Sequence, residues 1–426
     1  MAQVNIREIA LDTLMEILEH GQFGHIILKQ VLDKYAYLSK QERAFINRLV
    51  SGVVERTIEL DYVINDQSKT KVKKMKPLIR TALRMGAFEI YYMDAVPDSA
   101  TCNEYVKLSK KRGFSGLSGF VNGVLRSVAR QKGQLIYPDE STRYSIPQWI
   151  IDRWTEDYGA NSAAEICQGL AEPDAGLCIR VNLNRISRQE LADRLTNQGF
   201  IVELPEELPT AIFISNVDTI ATIPEFTQGL FYIQDYSSQL VAQLAGIEDG
   251  DRVLDVCAAP GGKALHAAEL AGSGSVLARD LTEGKIALIN ENIKRAGATN
   301  IRAQQWDATV LDAASVEQYD VVLADLPCSG LGIIRKKPDI KYNQTPESLV
   351  ELAQLQAKML DIVCQYVKPG GRLVYSTCTV NRAENAGQVQ AFVNRTPGYE
   401  VTIERQLFPT ESHDGFYICA MERKAR

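Results

Sequence analysis

Two cysteines carry the chemistry that is most directly legible in this chain. Cys328 stands in Asp325-Leu326-Pro327-Cys328-Ser329 and Cys378 in Ser376-Thr377-Cys378-Thr379. Each follows a strand-like apolar run, residues 319–324 in one case and 371–375 in the other. In an open α/β sheet, the carboxyl ends of the strands are where ligands and reacting groups gather. Two thiols delivered to that edge, with the Asp325 carboxylate beside one of them, fit covalent catalysis by a thiolate. Either cysteine alone would read as a small buried hydrophobe, the ordinary fate of a free cysteine. A third segment, upstream of both, overturns that reading.

This segment, Arg252-Val-Leu-Asp255-Val-Cys257-Ala258-Ala259-Pro260-Gly261-Gly262-Lys263, passes from a strand into a helix. Its glycines let the backbone approach a ligand, and the helix N-terminus presents free N–H groups. The spacing matches neither the G-x-G-x-x-G loop of dinucleotide sites nor a phosphate-cradling Walker loop. The next strand ends at Asp280, placed to accept hydrogen bonds from ribose hydroxyls. The one after leads to Asp307, suited to an adenine amino group. A loop and two acids at successive strand ends, without a phosphate binder, describe a nucleoside pocket that fits S-adenosylmethionine. Its expected contacts are Cys257, Ala258, Ala259, Pro260, Gly261, Gly262, Lys263, Asp280, Asp307 and Asp325.

These residues need a scaffold, and the pattern from about residue 230 supplies one. Strands are predicted at 252–256, 275–279, 300–305, 319–324 and 371–376, and helices at 261–271, 283–296, 346–367 and 383–394. Two further strands fit 399–407 and 415–421. Such alternation implies a doubly wound, mostly parallel sheet, an α/β Rossmann-like fold. Ahead of it, residues 1–137 read as an all-helical domain, with apolar residues at helical spacing from Ile6 to Leu18 and in six later segments. A proline-bearing polar stretch, 137–143, reads as a linker. Residues 144–228 mix strands and a helix as a small α+β lobe, leaving 229–426 as the catalytic domain. Tyr232 and the run Gln234–Ser238 are expected to close over the adenosine side.

Composition bounds the function. The net charge of −6 argues against nucleic acid, but its distribution does not. Residues 1–145 hold 22 Lys and Arg against 16 Asp and Glu, leaving 25 against 37 in the remainder. A basic module ahead of an acidic body suggests an RNA-facing domain joined to an enzyme. Lysines cluster at 69–76 and at 107–112. The basic segment with Arg335, Lys336, Lys337 and Lys341 follows Cys328 and is expected to clamp an RNA backbone beside a flipped base. No apolar run reaches the roughly 20 residues that span a bilayer, so a cytoplasmic protein without membrane contact is expected. Eight scattered cysteines and four histidines give no zinc spacing and no disulfide framework, so no metal is expected. Nothing suggests an interface helix, and the chain is expected to act as a monomer.

Taken together, Asp255-x-Cys-Ala-Ala-Pro-Gly-Gly-Lys263, Asp325-x-Pro-Cys-Ser329 and Ser376-Thr-Cys378 resemble the RNA cytosine-5 methyltransferase family. Residues Val96-Pro97, Asn103–Lys107 and Gly119–Arg126 are similar to the NusB fold, and a NusB-like domain ahead of such a methyltransferase is the arrangement of bacterial 16S rRNA enzymes. The resemblance implies methyl transfer from S-adenosylmethionine to C5 of a cytosine in 16S rRNA. It implies Cys378 as the nucleophile that adds to C6, Cys328 in proton removal and enzyme release, and Asp325 at the cytosine edge. Lys263 and nearby helix dipoles are expected to lower a thiol pKa. A swap of the two cysteines is the rival assignment. A tRNA or 23S rRNA target, or a non-catalytic antitermination or assembly factor, are the alternative functions. Two departures from the family stand out: Leu326 where alanine is usual, and Gly284-Lys285 where a helix-favouring residue followed by arginine is.

Overall fold

The computed structural model describes residues 5–425 apart from 174 and 218. It divides into two compact units, Met1–Ala171 with Ile334–Gln344, and Glu172–Ile333 with Thr345–Arg426.

The first unit is helical. Its helices run over Ile6–Leu18, Gly24–Lys34, Lys40–Glu55, Thr57–Gln67, Pro77–Tyr92, Asp98–Lys111 and Ser118–Arg130, with Glu140–Tyr144, Gln148–Tyr158 and Ala160–Ala171 after them. The sequence specifies several starts. Asn5 caps the first helix, Ser39 and Glu42 form a reciprocal capping box, and Pro77 occupies the first turn of the central helix. The core is aliphatic, with Leu11, Leu14, Ile46, Leu49, Leu83 and Leu125 fully out of water. The five lysines of the 69–76 cluster are all exposed on a turn pinned by buried Val72 and Met75. In the second cluster, Lys107, Lys111 and Arg112 pair with Glu104, Glu8 and Asp12. The two last helices, expected within the small lobe, belong to this unit by their contacts.

The second unit opens with an antiparallel sheet of Leu177–Val181 (β1), Ile201–Glu203 (β2), Ala211–Ser215 (β3) and Phe231–Ile233 (β4), in the order β2-β3-β1-β4. A seven-stranded sheet follows: Arg252–Asp255 (β5), Ser275–Asp280 (β6), Ile301–Gln305 (β7), Tyr319–Asp325 (β8), Val367–Thr377 (β9), Tyr399–Leu407 (β10) and Phe416–Arg423 (β11). Its order is β10-β11-β9-β8-β5-β6-β7, parallel from β7 to β9, with β11 and β10 antiparallel. Val253, Leu254, Val321, Val322, Leu323 and Ala324 are buried, as expected of strands covered on both faces. Helices Gly262–Ala271, Glu283–Ala296, Pro346–Val363 and Ala386–Arg395 provide the crossovers and cover.

The chain builds from β5 outward to β7, then returns to place β8 on the other side of β5. Strand order therefore reverses between β5 and β8, and the crevice beyond their carboxyl ends is the ligand position of a doubly wound sheet. The loops that leave β5, β8 and β9 there carry the three sequence motifs.

Candidate active site

Register brings the two cysteines together. Asp325 at the end of β8 pairs with Ser376 on β9, so Cys328 and Cys378 emerge side by side. Their Sγ atoms lie 3.3 Å apart, and both thiols are half-buried. The hydrogen bond to Cys378, reinforced by burial, holds the Cys328 thiol protonated far above the usual range. Across this contact either sulfur can donate.

Asp325 is held from two sides. Its Oδ2 accepts from Lys263 Nζ at 2.8 Å and its Oδ1 from Ser376 Oγ at 2.7 Å. Burial would pull Lys263 down, but the charges of Asp325 and Asp255 outweigh it and hold the ammonium above its ordinary value. Lys263 therefore stabilises a carboxylate first, whereas the sequence reading gave it a thiol. Asp255, at the end of β5, is buried, and burial together with the Asp325 charge pushes it up to about 7. Its Oδ1 accepts from the Cys257 amide at 3.3 Å, while Oδ2 has no partner.

The loop after β5 is shaped as expected. Gly261 adopts φ +110° at the N-cap of the following helix, a conformation open to glycine and strained for other residues. The Ala259–Pro260 bond is cis. Ala258 N donates to Arg279 O and Ala259 N to Asp280 Oδ2, tying the loop to the end of β6. Asp280 also accepts from Leu281 N and from Lys285 Nζ, each within 2.8 Å. A carboxylate offers about four lone-pair positions, so one remains for a ligand hydroxyl. Lys285, one of the family departures, is what steadies this acid. Asp307 accepts from the amide and hydroxyl of Thr309, bonds that hold its carboxyl below the usual range. Leu326, the other departure, is buried in the core beside β8.

The structure adds residues that the sequence reading missed. Glu384, fully buried, accepts from the Ser329 amide at 2.8 Å, Ser329 Oγ at 2.5 Å, Gln356 Nε2 at 3.0 Å and Asn381 Nδ2 at 2.7 Å. Gln356 also donates to Pro327 O. Ser329 Oγ and Thr379 Oγ1 lie 2.7 Å apart, and Thr379 accepts from Leu331 N. The residues immediately after each cysteine are thus bonded to each other and locked to one buried carboxylate. Gly332 donates to Cys378 O, and a Cβ at Gly332 would lie 2.0 Å from Gly415 O, so only glycine fits. The available signal was the polar run Asn381–Asn385 directly after Cys378, in a region otherwise apolar.

Two expectations are corrected. Lys341 is buried in the first unit, 2% exposed, donating to Glu55 O at 2.7 Å, and cannot present a charge to a phosphate. Of its companions, Lys336 is exposed, Lys337 is half-buried and Arg335 donates to Gly169 O. Tyr232 does not close over a ligand. It lies in the lobe's β4, 3% exposed, with Asn182 donating to its hydroxyl and the Arg180 guanidinium over its ring. Gln234 lies against Gly262 in the loop after β5.

The residues at this edge fit S-adenosylmethionine as a cation without phosphates. Asp255, Asp280, Asp307 and Asp325 ring the strand ends, and one of them has a buried oxygen with no partner. Among the described residues no group of metal ligands is found, and no helix is long and apolar enough to cross a membrane.

By its strand order and motif placement the second unit is a Rossmann-like methyltransferase. Comparison with known proteins narrows the class. The family described as 16S rRNA methyltransferase RsmB/F matches residues 242–422, the NusB family matches 4–130, and the RsmF/B-like ferredoxin-like domain matches 146–220. A probable ribosomal RNA small subunit methyltransferase B from Bacillus subtilis (strain 168) is 36% identical, covering all of both chains. The crystal structure of PH0851 superposes with a TM-score of 0.82 over 99% of each chain at 22% identity, a likeness of fold. A methyltransferase homologue from Pyrococcus horikoshii reaches a TM-score of 0.59 at 27% identity, covering 68% of this chain and all of that one. The chain belongs to the 16S rRNA methyltransferase RsmB/F family.

Proposed function

We propose that this chain methylates C5 of a cytosine in 16S rRNA, with S-adenosylmethionine as methyl donor, through a covalent bond between Cys378 and C6 of the base. The observation that carries the reading is the contact of two thiols at the ends of adjacent parallel strands, with Asp325 on the same edge.

C5 of cytosine is too weak a nucleophile to take a methyl group unaided. Addition of the Cys378 thiolate to C6 makes the ring an enamine whose C5 can accept it. Asp325, fixed by Lys263 and Ser376, accepts from the amino edge of the base and orients C6 towards Cys378. Cys328 starts protonated. With the base bound, Cys328 passes that proton to solvent and its thiolate then removes the C5 proton, after which the Cys378–C6 bond breaks, returning Cys378 as thiolate and freeing the enzyme. The Ser329–Thr379–Glu384 network keeps both sulfurs in place throughout. On the cofactor side, Asp280 would accept from the ribose hydroxyls and Asp307 from the adenine amine, with Cys257–Lys263 around the methionyl part. The donor supplies an electrophilic methyl on a sulfonium, a cation that the four acids favour. The exposed lysines at 69–76, with Arg335, Lys336 and Lys337, are the phosphate-facing groups, and a single copy acts on the RNA.

The test is incubation of the purified protein with methyl-labelled S-adenosylmethionine and, separately, 16S rRNA, 23S rRNA and tRNA. The expected result is 5-methylcytosine at one position of 16S rRNA alone. Label on tRNA or 23S rRNA would overturn the substrate, and label on no RNA would overturn the activity.

A further inference from the structure

The geometry that serves catalysis also places two oxidisable sulfurs in contact. The 3.3 Å between Cys328 Sγ and Cys378 Sγ must shrink by roughly 1.3 Å to reach a disulfide bond length. Both residues lie on loops beyond the strand ends, where a shift of this size needs no change of register in the sheet. Their neighbours Ser329 and Thr379 are bonded across the same gap, so the approach direction is already set. Five of the other six cysteines are buried. Cys257, the remaining half-buried thiol, is held protonated by burial and by the acids around it. Oxidation is therefore directed to the pair.

We propose that Cys328 and Cys378 form a reversible intramolecular disulfide under peroxide, a modification that silences the enzyme and protects its nucleophile from irreversible oxidation. The Cys378 thiolate attacks one oxygen of hydrogen peroxide, giving a sulfenic acid at Cys378 and releasing hydroxide, which takes up a proton as water. The Cys328 sulfur then attacks the Cys378 sulfur. Its proton leaves with the sulfenic hydroxyl as a second water, and the S–S bond forms. In sum, two thiols and one peroxide give one disulfide and two waters, so both sulfurs are oxidised and the peroxide oxygens reduced. A dithiol reductant reverses the step by exchange. In a reducing compartment such a bond is transient, as expected of a sensor and not of a structural staple. That closure stops methylation rests on the function proposed above; the bond itself does not.

The experiment treats the full-length protein with graded hydrogen peroxide, then maps peptides without reduction and assays methylation in parallel. The expected product is a cross-linked peptide pair holding Cys328 and Cys378, about 2 Da lighter than the two thiols. Activity should fall at least tenfold and return with dithiothreitol. In Cys328→Ala the cross-link should vanish and a dimedone-reactive sulfenic acid appear at Cys378. Sulfinic or sulfonic acid at Cys378 in the unsubstituted protein, without the cross-link, would overturn the proposal. So would a disulfide joining either residue to a different cysteine. Because the peptide map is read without substrate, failure of the methylation reading would not mask either outcome.

Discussion

Lys263 and Lys341 are the same residue type, both largely withdrawn from water, and the two units treat them in opposite ways. Lys263 faces Asp325 at 2.8 Å with Asp255 nearby, and its pKa is held up. Lys341 meets a neutral carbonyl, Glu55 O, and burial pushes it down to about 7 despite the more distant charge of Glu55. A buried ammonium stays charged where a carboxylate answers it and tends towards neutrality where only a dipole does. The first lysine is part of a site that must carry charge. The second pins the 334–344 segment within the helical unit.

Removing the partner sharpens the contrast. Lys263→Met leaves Asp325 and Asp255 as neighbouring acids with no cation, so the Asp255 carboxyl, which Lys263 holds down, rises further. Activity at pH 7 should fall on the order of 100-fold or more, given the size of a lost general acid–base or positioning group. The check is kcat/KM against pH: the acid limb should move to higher pH, and an unmoved limb would break the assignment.

The next effect lies in the network behind the cysteines. Glu384→Gln keeps the volume but turns one acceptor oxygen into a donor facing other donors. Stability should drop by about 2–3 kcal/mol, the cost of leaving buried polar groups unpaired. The turnover number should fall roughly tenfold, with KM for S-adenosylmethionine little changed, because Glu384 bonds the cysteine loops and not the cofactor loop. Denaturant melts and steady-state kinetics separate the two.

The smallest effect on catalysis, and the clearest on pH, belongs to Lys341. Its folded value of about 7 lies below its ordinary 10.5, so between those values the unfolded chain holds a proton that the folded one has lost. Stability from this group therefore rises with pH across that window, and the cost of burying the charge is full below pH 7. Lys341→Met should raise the Tm by several degrees at pH 6. The gain should shrink towards pH 10, where the lost bond to Glu55 O is all that remains. Thermal melts across that range check it; a gain that grows with pH would contradict the pairing.

The same contrast explains what was legible in the sequence. β5 and β8 announce themselves because strands covered on both faces must be apolar without interruption, so the polar residues that end them mark the site. Gly261 is legible because few other residues allow its positive φ. Lys341 is not, since Arg335-Lys-Lys and Lys341 look alike on paper and only tertiary packing buries one of them. Glu384 is hidden for a related reason. Its four partners come from residues 329, 356 and 381, and no local pattern says that these meet. Tyr232 was misplaced because β4, three residues long, gives no periodicity to read.

The central claim is that Cys378 bonds the base and Cys328 lets it go. Cys328→Ala, incubated with S-adenosylmethionine and 16S rRNA, should accumulate a denaturant-stable protein–RNA adduct at one cytosine, with the cross-linked peptide holding Cys378. Adding Cys378→Ala should abolish it. An adduct that persists in the double variant, or one that forms on Cys328 when Cys378 alone is replaced, would contradict the account.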